Sequence, residues 1–210
     1  MTTVALAHGA LREVGIRTVA EPALYRLTSQ TGLSAGIGVL QRGRVLLVDR
    51  VEGPRFVGRA IDAAAGRTSR SGPAAYRIRS QRDVGRELPA HSTALGKVLL
   101  AFLPRQKMID LIAKYGLARS TAATIVSRKR LLAELDLVRK QRYAMADGEA
   151  YSDLRALAVP IFDADGEVRA AVSVNGHPSE PAWDNLPELV GTVEEAVRDI
   201  ARRARILRAP

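Results

Sequence analysis

The clearest pattern of apolar and polar positions lies at Leu88–Pro104, LPAHSTALGKVLLAFLP. Leu95, Val98, Leu99 and Phe102 recur at helical spacing and predict one buried face. The Thr93 hydroxyl can cap this helix, and Pro104 stops it. Ala94 and Gly96 put little side chain on the first turn, so a ligand could approach the backbone N–H groups. A helix start with open donors attracts anions. Spacing alone favours the plainer reading, a capped core helix in which Gly96 permits close packing.

The other elements follow from the same kind of reading. Thr3–Val14 predicts one helix and Val19–Gln30 a second, with Pro22 in the first turn of the second and Gly32 ending it. Ser34–Leu40 and Val45–Val51 predict a hairpin that turns at Gly43. Gly36 and Gly38 share one strand face and invite close packing. Arg105–Tyr115 reads as a short helix closed by Gly116, and Ser127 caps another that runs to about Gln141. Tyr143–Met145 reads as a strand and Ala146–Asp153 as a polar loop. Leu154–Phe162 and Val168–Val174 are nearly continuous apolar strands joined at Asp163–Gly166. Asn185 and Glu188 form a capping pair for a last helix striped by Leu189, Val193, Val197, Ile200 and Ala204. The order of elements implies an α/β (α+β) fold, an antiparallel sheet with helices on both sides.

Composition narrows the class. With 47% hydrophobic residues and no apolar run of about 18, a globular chain without a membrane span is expected. The start MTTVALAHGAL lacks a basic leader, and there are no cysteines, which suits the cytoplasm. The net charge of +10 raises a nonspecific nucleic-acid-binding domain as an alternative. The arginines are dispersed and not interleaved with aromatics, so no stacking platform for bases is expected.

Several short motifs lack their context. Gly32–Gly36, GLSAG, matches the G-x-S-x-G of hydrolases, but here a helix precedes and a strand follows, the reverse of a nucleophile elbow. Gly96–Lys97 lacks the earlier glycine and the Ser/Thr of a phosphate loop, so Lys97 is expected at the helix surface. Asp163-x-Asp165-Gly166 lacks a glutamate at the twelfth position of a calcium loop. His91 and His177 could approach one another with Asp147 or Glu149, but ordinary backbone hydrogen bonds are the simpler reading. No cofactor is expected.

Leu88–Leu103 resembles the LPxHxTAxGKxLLA segment of the IclR family of bacterial transcription regulators, with every fixed position filled. Arg155–Pro178 resembles that family's paired strands with their Ser-x-Ser-Gly-Pro ending. Thr18–Gly32 with Val48–Gly53, VDRVEG, resembles its first helix and hairpin. The resemblance implies a GAF-like or PAS-like effector-sensing domain at 17–210 after a linker helix at 1–16. An Ala-, Gly- and Arg-rich insertion at about 56–73 displaces the next family strand to Tyr76–Asp83. It further implies a small organic-acid effector held by Thr93, Ala94, Leu95, Gly96, Asp147, Ala156, Ser173 and Asn175, with Asn175 in place of the second serine. Homodimers or homotetramers are implied, and DNA contact only through a winged helix-turn-helix that this chain does not contain.

Overall fold

The computed structural model describes residues 3–53 and 84–206. The insertion at about 56–73, the strand expected at Tyr76–Asp83 and the side chains of 3–14 lie outside that description.

The first two expected helices are one helix, α1, Thr3–Thr31. Gly15 and Pro22 both lie inside it. Each is unfavourable in a helix interior, by about 1 and about 3 kcal/mol. The continuous helix is held by burial of Val19, Ala20, Ala23, Leu24 and Leu27 against the sheet. Gly32, at φ +70°, ends it by donating to Thr28 O at 2.9 Å.

Six strands follow: β1 Ser34–Gln41, β2 Arg44–Val51, β3 Glu87–Pro89, β4 Ala144–Asp147, β5 Arg155–Phe162 and β6 Val168–Gly176. They form one antiparallel sheet in the order β3-β2-β1-β6-β5-β4. Arg42 and Gly43 both have positive φ in the β1–β2 turn, the geometry that suits the twist of a two-residue hairpin. The register of β1 on β2 shifts between Ile37 and Gly38, which leaves Val48 unpaired as a bulge. Because of that bulge Asp49 shares a face with Ile37, and Arg50 shares the opposite face with Gly36.

One sheet face packs on α1 and on the last helix, α5, Leu186–Ile206. The other packs on α2, Ala94–Ala101, backed by α3, Arg105–Tyr115, and α4, Arg128–Gln141. Alternation survives inside the apolar runs: Leu157, Val159 and Ile161 face α1 and α5, while Ala158 faces α2. Small residues on the α2 side let the helix lie close. A Cβ on Gly38 would meet Leu95 Cδ1 at 3.2 Å and Val45 Cγ1 at 2.9 Å.

The caps are as expected in three places. Thr93 Oγ1 accepts from Gly96 N, Ser127 Oγ from Arg130 N, and Asn185 Oδ1 from Glu188 N. Helix α4 ends on Arg142 in the left-handed region at φ 64°, where glycine is the easier residue, and the Arg142 guanidinium lies 5.8 Å from the Phe162 ring centroid. Among the described residues no helix is long and apolar enough to cross a membrane.

Candidate functional site

Helix α2 is buried all round, not on one face alone. It is enclosed between the sheet and α4, so Lys97, expected at the surface, is 1% exposed. Its charge is answered by Glu149 Oε1 at 2.5 Å, Met145 O at 3.0 Å and Glu134 Oε1 at 3.1 Å. Burial pushes the Glu149 carboxyl above the usual carboxylate range, against the pull of Lys97.

A cavity of about 350 Å³ opens at the start of α2. The Thr93 hydroxyl donates to Pro89 O at 2.7 Å and accepts from Gly96 N at 3.3 Å. Lys97 N donates to Thr93 O. The N–H groups of Ala94 and Leu95 are the two that this cap leaves, and both residues line the cavity.

The facing wall is the sheet. Ser173 on β6 is paired with Gly36 on β1 and Ala158 on β5, and Asn175 is paired with Ser34 and Ala156. Gly36, Ala156, Ser173 and Asn175 all line the cavity. Ala156 puts little side chain into the cavity, and Ser173 Oγ would lie 3.9 Å from a Cβ on Gly36. Arg50 reaches in from β2 and donates to Asn175 Oδ1 at 3.3 Å. Arg86, just before β3, donates to the Tyr151 hydroxyl at 3.4 Å. Ala150, Tyr151 and Leu154 of the β4–β5 loop close one side, with Ser120 nearby. Among the described residues the lining thus carries two guanidiniums and no carboxylate. Such a site favours an anion with an apolar body.

The structure brings together Thr93, Ala94, Leu95, Ala156, Ser173 and Asn175, but not Gly96 or Asp147. A Cβ on Gly96 would lie 2.2 Å from Ala90 O, so this glycine serves packing, and its N–H is taken by Thr93. Asp147 is exposed and bonded to Arg155 at 2.6 Å. Arg50, Arg86 and Tyr151 were not expected. For Arg50 a signal existed, two adjacent charges in the otherwise apolar strand Val45–Val51. For Arg86 and Tyr151 there was none, since both lie in loops beside the sheet.

The histidines do not form a metal pair. His91 Nε2 donates to Ala118 O at 3.0 Å, and burial lowers its pKa below the ordinary imidazole value. His177 Nδ1 lies 2.7 Å from Ser179 Oγ. Among the described residues no group of three metal-binding side chains occurs. Ser34 Oγ accepts from Gly53 N at 3.0 Å on a buried strand, not on an elbow. Asp163 is engaged by the N–H groups of Asp165 and Glu167 and by Arg169, as a turn residue.

Comparison with known proteins agrees with this architecture. The family model for the bacterial transcriptional regulator IclR C-terminal domain matches residues 68–202. The HTH-type transcriptional regulator KdgR of Dickeya chrysanthemi is 39% identical over 126 residues, covering 60% of this chain and 41% of that protein. The chain spans about half the length of the curated relatives it matches. Among solved structures, the C-terminal domain of E. coli KdgR superposes with a TM-score of 0.72 at 26% identity, covering 90% of this chain and 98% of that one. A double mutant of the PobR inducer binding domain from Acinetobacter, in complex with 3-hydroxybenzoic acid, gives 0.71 at 28% identity, covering 89% and 97%. A helix start, a small-residue sheet wall and a match over most of the chain all lead to one assignment: this chain belongs to the IclR family and carries that family's C-terminal domain.

Proposed function

We propose that the chain is the sensing part of a transcriptional regulator. A small organic acid enters the cavity at the start of α2 and thereby alters DNA binding by a winged helix-turn-helix in the same regulator. The observation that carries this reading is the lining itself: Arg50, Arg86 and the N–H groups of Ala94 and Leu95, with no acidic side chain among the described lining residues. The acid's carboxylate lies on those N–H groups, where the helix dipole adds about 1–2 kcal/mol in a partly buried site. Ser173 and the Asn175 amide bond its polar atoms from the opposite wall. The complex of the PobR domain with 3-hydroxybenzoic acid supports an acid of this general size. The regulator acts as a homodimer or homotetramer, and as a binder rather than an enzyme.

Calorimetry against a panel of hydroxy-, oxo- and aromatic acids tests this. One chemical class should bind one acid per chain, and Ala156→Phe, which fills the cavity, should abolish the signal while the thermal midpoint holds. Binding of the same acid with unchanged affinity by Ala156→Phe places the site elsewhere.

A further inference from the structure

Lys97 heads the large side chains that are fully buried. An ammonium has three protons. Its three acceptors come from three parts of the chain: Glu134 from α4, Met145 O from β4, and Glu149 from the β4–β5 loop. Glu134 and Glu149 are the carboxylates among them, and the titratable His91, just before α2, also feels the Lys97 charge.

Helix α2 does not need this charge to stay in the core, because the rest of it is apolar and buried on every side. A methionine of similar length would fill the same space without desolvating a cation. A charge with fixed acceptors supplies something apolar contact does not, namely a defined position for its partners.

One partner is Glu149, and the next two residues, Ala150 and Tyr151, are cavity wall. Lys97 itself lies one turn beyond Ala94, which lines the same cavity. The loop is tied a second time from outside. Thr124 Oγ1 donates to Glu149 O at 2.7 Å, and Thr121 Oγ1 to Gly148 O at 2.6 Å. Those threonines belong to the segment whose Ser120 also lines the cavity.

We propose that Lys97 and Glu149 are positioning residues for the effector cavity: their buried ion pair sets the Ala150–Tyr151 wall against the start of α2. The inference rests on the reading of that cavity as the effector site, but its test does not need the effector.

The test is amide hydrogen exchange on the ligand-free chain and on the double variant Lys97→Met/Glu149→Gln. The double variant leaves neither charge unpaired in that pair, and Glu134 keeps access to water, so the fold should persist with a thermal midpoint within a few degrees. Exchange over Gly148–Leu154 should rise at least tenfold, while exchange in α5 stays unchanged. A purely structural role would instead lower the midpoint and raise exchange throughout. Unchanged exchange in the loop, or a uniform rise, overturns the proposal. Should the double variant fail to fold, Glu149→Gln alone serves, with a severalfold rise confined to the loop expected and no rise counting against the idea. A panel of acids that fails to bind the unmutated chain would defeat the effector reading and leave the loop result standing, so the two failures are distinct.

Discussion

Arg50 reaches across β1 to Asn175, with Nη2 and Oδ1 3.3 Å apart. The strand between them presents Gly36 in register with Arg50 and Ser34 in register with Asn175. Gly36 has no side chain to block the guanidinium, so an early hairpin and a late one are joined on the cavity face. The bond occupies the Asn175 oxygen and leaves its amide N–H₂ for a ligand acceptor.

Ser173 sits one pleat from that bond and has no protein partner among the described hydrogen bonds. Ser173→Ala should weaken acid binding severalfold to about a hundredfold, in line with a lost bond of about 0.5–3 kcal/mol. The thermal midpoint should not move. Titration calorimetry beside a melting curve reads both, and an unchanged affinity would remove Ser173 from the site.

Arg50→Met removes a charged donor rather than a neutral one. Bonds to charged groups contribute about 1.5–3 kcal/mol, so the loss should be about tenfold to a hundredfold or more. Because Arg50 is buried, that loss should be nearly the same at low and at moderate salt. A strongly salt-dependent effect would point to long-range attraction instead of contact.

Two helical glycines should respond in opposite directions to alanine. At Gly96 a Cβ would meet the Ala90 backbone at 2.2–2.6 Å. Gly96→Ala should therefore destabilise by about 1–3 kcal/mol or more, despite the better helix propensity of alanine. At Gly191 on α5 nothing lies within 4 Å of the added atom, and Gly191→Ala should stabilise by about 0.4–1 kcal/mol. Denaturant titrations of the two variants decide.

Asp199 on α5 is bonded by Arg26, Arg202 and Arg203. Those guanidiniums, Arg202 foremost, hold its carboxyl well below the ordinary value of 3.8. A depressed acid contributes stability above its unfolded pKa and loses it as pH falls through the folded one. Asp199→Asn should thus cost about 1–2 kcal/mol at pH 7, as three partly exposed pairs of modest strength. The gap from the unmutated chain should narrow progressively below about pH 4. A gap that does not narrow at all between pH 4 and pH 2 would argue for packing rather than charge.

Local signals made much of this legible. The Thr93 cap, the span Arg105–Tyr115, the Ser127 start and the Asn185–Glu188 pair each depend on residues within one turn of each other. The continuity of α1 was not legible, because Gly15 and Pro22 are local breakers overruled by burial against a sheet formed later in the chain. Lys97 was misplaced for the same reason: its partners Glu134 and Glu149 lie far along the sequence. Arg50 is turned toward the cavity by a bulge at Val48 that strand alternation does not announce. The resemblance located the helix start and the β6 serine, but the arginines that line the cavity came only with the assembled sheet.

The central pairing of the sheet joins Ser34–Gly38 to Ala171–Asn175, roughly 140 residues apart, and closing such a loop is entropically unfavourable before any contact compensates. The cavity is built astride that seam, with Gly36 on one side and Ser173 on the other. The cavity wall therefore depends on a strongly non-local pairing rather than on any single helix or hairpin. A nascent chain that has not yet released β6 lacks Ser173 and Asn175, and with them the wall on which the proposed acid would rest.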